Sequence, residues 1–232
     1  MTDLPQKMIG ALLKGVEQIE IQEFDVERPG PGEIILAIKA ATTCGTDVKV
    51  FKRGGHPRML TVPSLFGHEM AGSIAAIGLG VHDFKEGDEV VVANSAPCQK
   101  CVYCRHGREN LCTDLHYLNG AFAEYIRVPA RFVTQNTYLI PPGLSFHLAA
   151  LTEPLACVLH GINACELKRF THQEPPEIIV FGGGPIGLLF VGALASRGYQ
   201  VVLADPNKAR LDVGSAMGAR KTIKIERGGG QA

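Results

Sequence analysis

The sequence predicts an α/β plus β chain, in which a largely β part is followed by an α/β part. Up to about residue 151, short β-like runs are separated by Gly and Pro, which is typical of a compact β domain of barrel type. From residue 177 the pattern changes to strand, Gly-rich turn, apolar helix and strand, which is the order of a βαβ unit. We therefore predict one domain at residues 1–152 and a second at residues 153–232.

The individual elements follow from local composition. In the first part, runs rich in Ile, Val and Ala are bounded by turn residues. Between the two parts, residues 154–167 indicate a linking helix, with Pro154 suited to its first turn. The predicted strands are 33–38, 72–77, 89–92, 123–128, 178–181, 200–204 and 221–225, and the second predicted helix is 186–197.

Composition and charge limit which kinds of partner and which location the protein can be expected to have. Of the 232 residues, 46% are hydrophobic, which is enough for a substantial core. The 23 Lys and Arg balance the 23 Asp and Glu, so nothing favours attraction to nucleic acid or to an anionic membrane. The first 15 residues lack an apolar stretch long enough for a signal peptide or a membrane span. We expect a cytoplasmic protein with a small-molecule partner, and neither nucleic acid nor membrane as a partner.

Seven cysteines in such a chain favour metal binding over disulfides, because the cytosol keeps thiols reduced. Four of them lie in one loop, at Cys98, Cys101, Cys104 and Cys112. Tetrahedral zinc takes four thiolates, which leaves no open position, so the predicted site is structural. Unligated cysteines and an iron–sulfur cluster are the alternatives. Two further cysteines, Cys157 and Cys165, lie in an apolar run and are expected to be small buried side chains.

A second set of metal-ligating residues lies outside that loop. A catalytic zinc needs about three protein ligands and one open position. Cys44, His68 and an acid would form such a set. Two acids compete for the third place, Glu69 beside His68 and Glu153 further along the chain. Both remain open at this point.

A glycine-rich motif follows the first strand of the βαβ unit. Gly182, Gly184 and Gly187 form G-x-G-x-x-G, with Pro185 and Ile186 opening the helix. The glycines let the backbone approach a pyrophosphate, which then lies on the helix N-terminus.

An acid follows that motif at the distance expected for ribose recognition. Asp205 ends the next strand, and its carboxylate favours NAD over NADP because it would repel a 2′-phosphate. Two alternatives stay open. Asp205 could cap the following helix, and Lys208 and Arg210 keep NADP possible, with Arg210 itself a candidate cofactor contact.

These motifs, in this order, resemble the medium-chain, zinc-containing alcohol dehydrogenase family, and within it the branch of polyol (sorbitol and xylitol) and threonine dehydrogenases. The resemblance runs from Glu33 to about Ala219. The motifs that carry it are Cys44-Gly45-Thr46-Asp47, Gly67-His68-Glu69, Gly87-Asp88-Glu89-Val90, the four-cysteine loop, Gly120-Ala121-Phe122-Ala123-Glu124-Tyr125, Glu153-Pro154-Leu155-Ala156 and Gly182-Gly183-Gly184-Pro185-Ile186-Gly187.

The resemblance implies a GroES-like, largely β catalytic domain followed by a partial Rossmann domain. It implies that Cys44, His68 and an acid hold a catalytic zinc, with Glu69 or Glu153 exchanging with water. It also implies that Thr46 carries away the proton of the alcohol, although Thr46 could be only a turn residue. The histidine that often ends this proton relay is replaced here by Lys49.

The expected function is a zinc-dependent oxidoreductase that transfers a hydride between an alcohol, a polyol or secondary alcohol, and NAD, with one catalytic and one structural zinc. Since family members continue further, the resemblance implies a C-terminally truncated chain, and a homo-oligomer (dimer or tetramer) if the fold is complete. The alternative is a zinc-stabilised module that binds metal and the adenosine half of the cofactor without turnover. A zinc-free reductase of the same superfamily conflicts with Cys44, His68 and the four-cysteine loop.

Overall fold

The structure is a computed structural model that describes residues 4–170 and 176–226. The chain divides into two compact units, Met1–Glu153 and Pro154–Ala232. Each unit has its own core, and the two are described separately.

The first unit is built mainly from strands. A five-stranded antiparallel sheet has the order β10-β6-β5-β3-β9, and a three-stranded sheet has the order β2-β1-β4. The strands are β1 (Lys7–Gly15), β2 (Gln18–Asp25), β3 (Ile34–Thr42), β4 (Ser64–Leu65), β5 (Glu69–Ile77), β6 (Glu89–Val92), β7 (Ser95–Ala96), β8 (His116–Tyr117), β9 (Tyr125–Val128) and β10 (Thr137–Leu139). The helices are α1 (Gly45–Arg53), α2 (Val102–Arg105), α3 (Ala130–Asn136) and α4 (Phe146–Ala149), with a 3-10 turn at Glu109–Leu111.

The core of this unit is the inner side of the five-stranded sheet. Alternate apolar side chains of β3, such as Ile34 and Leu36, pack with Met70 and Ile74 of β5, because side chains two apart in a strand share a face. At Gly72 the two strands approach so closely that an added Cβ would clash with the Ala37 carbonyl oxygen. Tight pairing of β3 with β5 therefore fixes the ends of both strands relative to each other.

That pairing brings together the two segments that carry the predicted metal ligands. Thr42, the last residue of β3, is paired with Glu69, the first residue of β5. Cys44 lies two residues beyond Thr42 and starts α1, while His68 directly precedes Glu69. Two residues separated by 24 positions in the sequence thus meet at the paired ends of two central strands.

The second unit contains the predicted βαβ arrangement. Its parallel sheet has the order β11-β12-β13, with α6 and α7 as the connections. A core cluster includes Val158, Val191, Leu194 and Leu203. The elements are α5 (Thr152–Ala164), which begins two residues before the unit boundary, a 3-10 turn at Leu167–Phe170, β11 (Glu177–Phe181), α6 (Pro185–Ala195), β12 (Gln200–Asp205), α7 (Lys208–Ala216) and β13 (Lys221–Lys224).

The burial of two cysteines was predicted wrongly. Cys157 and Cys165 are exposed. The buried stripe of α5 is formed by Pro154, Val158 and Ile162, which are four residues apart. Cys157 lies beside this stripe and Cys165 lies just beyond the end of the helix, so an apolar sequence did not make either position a core position.

The helices are short. The longest one in residues 4–170 and 176–226 is α5, with 13 residues. No helix within those ranges combines the length and the apolar character needed to cross a bilayer.

Candidate metal centres and dinucleotide site

Cys44 caps the first helix. Its backbone is extended, its Sγ accepts a hydrogen bond from the Thr46 amide at 3.1 Å, and its own amide donates to Asp47 Oδ2 at 2.9 Å. This reciprocal arrangement is a capping box, with cysteine in place of the usual hydroxyl residue. The first turn of α1 therefore fixes both the Cys44 thiol and the Asp47 carboxylate.

His68 lies between these two groups. Its Nε2 is 3.3 Å from Cys44 Sγ, and its Nδ1 is 3.0 Å from Asp47 Oδ1. The side chains of His68 and Asp47 are only 5% and 3% exposed. The carboxylate thus fixes the orientation of the ring and leaves Nε2 directed at the thiol, which is how outer carboxylates orient histidine ligands of metals.

Two glutamates also lie close to His68. Glu69 is buried and accepts a hydrogen bond from the Thr42 hydroxyl. One ligand atom from each of His68, Glu69 and Glu153 lies within 4.8 Å of the others, as do those of Cys44, Asp47 and His68. Within the described residues, His68 thus belongs to two groups of close ligand atoms. One group contains Cys44 and the other contains the two glutamates, and no group contains Cys44 together with a glutamate. The geometry leaves the choice between Glu69 and Glu153 open.

The charges in this cluster depend on one another. Burial lowers the pKa of His68, but hydrogen bonds to Asp47 and Cys44 outweigh it and raise the pKa to about 10. Burial raises the pKa of Cys44, yet hydrogen bonds from His68 and Thr46 bring it below the usual value for a thiol. Burial raises the pKa of Glu153, opposed by the charge of His68. Asp47 and Cys44 thus favour the protonated form of His68, and His68 in turn favours the thiolate form of Cys44.

The spacing of Cys44 and His68 suits zinc. Zn–S and Zn–N bonds of about 2.3 and 2.0 Å at a tetrahedral angle place the two donor atoms about 3.5 Å apart, and the observed separation is 3.3 Å. Zinc takes thiolate and neutral imidazole, so its binding would release the proton that this pair holds. Thiolate, imidazole and carboxylate form a donor set that zinc accepts while retaining an open position.

The four-cysteine loop forms a second thiol cluster. This loop connects β7 to β8. Because these two strands pair with each other, they hold the two ends of the loop together. Cys104 Sγ is 3.9 Å from Cys98 Sγ and 3.5 Å from Cys101 Sγ, and one sulfur from each of the four cysteines lies within 4.8 Å of the others. Tetrahedral zinc requires sulfurs about 3.8 Å apart, whereas a disulfide requires about 2.05 Å. The cluster fits a metal and is not a pair of disulfides.

Backbone amides support negative charge on these sulfurs. The amide of Cys98 donates to Cys112 Sγ at 3.1 Å, and that of Cys101 donates to Cys98 Sγ at 3.3 Å. Amides of Cys104 and Thr113 lower the pKa of Cys101 to about 5, while burial and the neighbouring thiols raise the pKa of Cys104 to about 12. Four thiols this close cannot all ionise without a cation, so the loop is suited to holding one.

The glycine-rich turn of the second unit joins β11 to α6. Gly182 has a φ of 97°, which favours glycine, and Gly184 is the N-cap of α6 with Pro185 in the first turn. An added Cβ at Gly187 would clash with the Gly182 carbonyl oxygen, so helix and turn pack closely only with glycine there. Ile186 is 47% exposed beside Pro185. The amides at the start of α6 are therefore available to an anion, as in dinucleotide sites.

Two hydrogen bonds from backbone amides hold the Asp205 carboxylate at this turn. Its Oδ2 accepts a hydrogen bond from the Gly183 amide at 2.7 Å and its Oδ1 accepts one from the Asn207 amide at 2.7 Å. These bonds, from Asn207 first and Gly183 second, lower the pKa of Asp205. Arg210 Nη1 lies 3.7 Å from Asp205 Oδ2. The cap of α7 is Asn207, which accepts bonds from the amides of Ala209 and Arg210, so the alternative in which Asp205 caps that helix is wrong.

Sequence reasoning missed two residues of the first cluster. Asp47 was recognised only as part of a motif, yet it both caps α1 and orients His68. The signal available was an acid three residues after the N-cap, which is the capping-box position. Thr42 gave no signal, because its bond to Glu69 depends on the register between β3 and β5.

Comparison with known proteins agrees with this geometry. Residues 30–141 match the alcohol dehydrogenase GroES-like domain. The chain is 34% identical over 229 residues to sorbitol dehydrogenase of Bacillus subtilis, covering 96% of this chain and 62% of that protein. It is 32% identical over 227 residues to L-threonine 3-dehydrogenase of Pyrococcus abyssi, covering 95% and 62%.

Solved structures show the same relationship. A zinc-binding dehydrogenase of Sinorhizobium meliloti with NADP bound superimposes with a TM-score of 0.84 at 28% identity, covering 95% of this chain and 62% of that one. An Escherichia coli CFT073 alcohol dehydrogenase complexed with NADH gives a TM-score of 0.82 at 29% identity, covering 96% and 64%. The predicted fold class, a GroES-like domain followed by part of a Rossmann domain, is confirmed. Residues 30–141 thus belong to the alcohol dehydrogenase GroES-like domain family, and the chain is similar over most of its length to polyol and threonine dehydrogenases.

Proposed function

We propose that this chain carries the metal-binding and cofactor-binding residues of a zinc-dependent dehydrogenase, which transfers a hydride between a polyol or secondary alcohol and NAD. The observation that carries the proposal is the cluster at the paired ends of β3 and β5. There a thiol and an imidazole lie at zinc-ligand spacing, with two glutamates beside the imidazole. The chain spans 62% of the length of the relatives cited above, so the activity of the whole enzyme is part of the proposal.

Cys44 and His68 would hold the catalytic zinc, with Glu69 or Glu153 as the third, exchangeable ligand. When bound, zinc would supply Lewis-acid chemistry that lowers the pKa of an alcohol. Thr46 would take the proton of the alcohol, a role supported by the hydrogen bond of its side chain to Cys44, which lowers the pKa of that thiol. Lys49, at the usual end of the relay, is exposed on α1, so a proton arriving there would reach solvent directly.

Asp47 is a positioning residue in this proposal, and its substitution gives a first prediction. Asp47→Asn keeps a side-chain oxygen that can cap α1 but removes the charge that orients His68. We expect zinc affinity at this site to fall about 10–100-fold, with the thermal midpoint little changed. Zinc titration against a chromophoric chelator measures the affinity.

The matched control is Asp114→Asn, since Asp114 also contacts a histidine, His116, but in an exposed pair. Asp114→Asn should leave the affinity of the catalytic site unchanged. An equal loss in both variants, or no loss for Asp47→Asn, would show that Asp47 does not act through His68.

The four-cysteine loop would hold the second, structural zinc through Cys98, Cys101, Cys104 and Cys112. Four protein ligands leave no position for a substrate. Thiols spaced for a metal also support the predicted cytoplasmic location, since thiols stay reduced in the cytosol. A homo-oligomer, dimer or tetramer, remains part of the proposal.

NAD would lie with its pyrophosphate at the start of α6, contacting the turn from Gly182 to Gly187, and with its adenosine ribose at Asp205. The carboxylate has two oxygens that can each accept more than one hydrogen bond. The bonds from Gly183 and Asn207 therefore leave capacity for a ribose hydroxyl while holding the negative charge in place. The same charge disfavours the 2′-phosphate of NADP. Arg210 is the nearby group that would oppose this preference.

The second prediction concerns this preference. Asp205→Ser is expected to weaken binding of ADP-ribose and to strengthen relative binding of its 2′-phosphorylated form, shifting the ratio about tenfold or more. Calorimetry with the two adenine nucleotides measures it without any need for turnover.

The control for this variant is Asp212→Ser, which removes an exposed acid of α7, the helix that follows β12, where it pairs with Lys208. The ratio should not change in that control. If the unmutated chain binds both nucleotides equally, the role given to Asp205 is wrong.

The test of the function as a whole is formation of NADH from NAD when the zinc-loaded chain is mixed with a panel of polyols and secondary alcohols. The proposal expects NADH from at least one of them and no NADH after removal of zinc. Binding of zinc and ADP-ribose with no turnover of any alcohol would favour the non-catalytic module instead.

A further inference from the structure

A cationic segment connects the two proposed metal ligands Cys44 and His68 along the chain. Residues 48–63 contain four Lys and Arg residues and no Asp or Glu, in a chain with no net charge. The four are Lys49, Lys52, Arg53 and Arg58. Within residues 4–170 and 176–226, none of them lies within 4.0 Å of a carboxylate oxygen. The cationic segment therefore presents uncompensated positive charge.

The loop that carries Arg58 is fixed by its own hydrogen bonds. His56 and Leu60 pair as an antiparallel bridge, with N···O distances of 2.9 and 3.3 Å. Inside the loop, His56 Nδ1 accepts bonds from the amides of Arg58 at 3.2 Å and Met59 at 3.1 Å. Leu60 is buried in a small core with Leu13. The backbone at Arg58 is thus held in one conformation.

The side chain of Arg58 is also positioned. Its Nη2 donates a hydrogen bond to the Tyr117 hydroxyl at 3.0 Å, and Tyr117 is half-buried on β8. Among the described residues this is the one bond that the guanidinium makes. A guanidinium has five N–H donors, so most of them remain available.

Hydrogen bonds join the two sides of this Arg58–Tyr117 pair to each other and to Gly67, in the segment that precedes β5. Asn119 Nδ2 donates to the Met59 carbonyl at 2.6 Å, and the next amide, of Gly120, donates to the carbonyl of Gly67 at 2.8 Å. Gly67 directly precedes His68. The pair is therefore linked to the His68 segment through a short chain of hydrogen bonds.

We propose that Arg58, oriented by Tyr117, determines substrate specificity by binding an anionic group, a phosphate or a carboxylate, on the alcohol that the site oxidises. This inference rests on the proposed function, because it assumes that the site oxidises an alcohol. An oriented, unpaired guanidinium favours such groups because it can form two parallel hydrogen bonds to one of them. The remaining charges of the cationic segment would attract the same substrates from solution. The substrate class is thus an alcohol with an anionic group away from the reacting hydroxyl.

The experiment measures binding to the zinc-loaded full chain by calorimetry, with sorbitol, sorbitol 6-phosphate and gluconate as probes. The unmutated chain should bind an anionic probe about tenfold or more tightly than sorbitol. Arg58→Leu should abolish that preference and leave sorbitol binding unchanged, and Arg58→Lys should retain part of it. Tyr117→Phe, which removes only the hydroxyl, should reduce it less than Arg58→Leu. The matched control is Arg28→Leu, which removes an exposed arginine elsewhere and should leave the preference intact.

The probes and variants separate the outcomes. An Arg58-dependent gain for sorbitol 6-phosphate alone supports a phosphate site, and a gain for gluconate supports a carboxylate site. Equal binding of neutral and anionic probes, or a preference that survives Arg58→Leu, overturns the inference. Oxidation of neutral polyols without any anionic preference would contradict this inference and leave the proposed function standing. Arg58-dependent binding without oxidation of any probe would support the anion site and count against the proposed function.

Discussion

Replacing His68 with alanine is expected to remove one zinc ion per chain and to lower kcat/KM for alcohol oxidation about a thousandfold or more. The reason is that His68 is the residue common to both ligand groups of the cluster. A catalytic metal supplies several kcal/mol of transition-state stabilisation, and about 1.4 kcal/mol corresponds to a factor of ten in rate. Cys44→Ser should give the same result, because it removes the thiolate that faces His68 at 3.3 Å. Elemental analysis and steady-state kinetics measure the two effects.

The fold should survive these substitutions, since the cluster has an open position and lies at the ends of β3 and β5, which stay paired through their own backbones. The matched control is His82→Ala, which removes an exposed histidine of the same unit and should change neither zinc content nor rate. If zinc content is unchanged in both His68→Ala and Cys44→Ser, the ligands have been assigned to the wrong residues.

Replacing Cys101 with serine is expected to destabilise the first unit strongly. When the free concentration of a metal is about a thousand times its Kd, binding stabilises the folded state by about 4 kcal/mol. That stabilisation is lost when the site is removed. For a unit of this size, the thermal midpoint should fall by about 10 °C. Thermal unfolding followed by circular dichroism measures the change, and elemental analysis should show the loss of one zinc.

Cys165→Ser is the control for this substitution, because Cys165 is exposed and lies outside both clusters. It should leave the midpoint and the zinc content unchanged. A midpoint for Cys101→Ser that matches this control, at full zinc occupancy in the unmutated chain, would mean that the four-cysteine loop does not stabilise the fold.

The sequence was informative wherever periodicity or a local motif carries the structure. The βαβ unit was predicted because an apolar strand, three glycines and an apolar helix are contiguous, and β11, α6 and β12 follow that order. The hairpin of β1 and β2 was missed, although Ile19 and Ile21 alternate with polar residues and Glu17 marks the turn with a φ of 57°. The two-residue strands β7 and β8 are too short for any periodicity to reveal.

The ligand residues could be named from the sequence, but their arrangement could not. Asp47 and His68 are 21 positions apart and meet only because β3 pairs with β5 in one register. The Arg58–Tyr117 contact, 59 positions apart, likewise needs the loop and β8 in place. Cys157 is a case in which the sequence was misleading. Its neighbours in the sequence are apolar, but Cys157 does not lie on the buried side of its helix.

The most direct test of the account is the zinc content of the unmutated chain purified without chelators, measured by elemental analysis beside His68→Ala and Cys101→Ser. Two ligand clusters at zinc spacing predict two zinc ions per chain, and one in each variant, with the four-cysteine ion retained in His68→Ala. A ratio near one in the unmutated chain, or iron in place of zinc, would contradict the account.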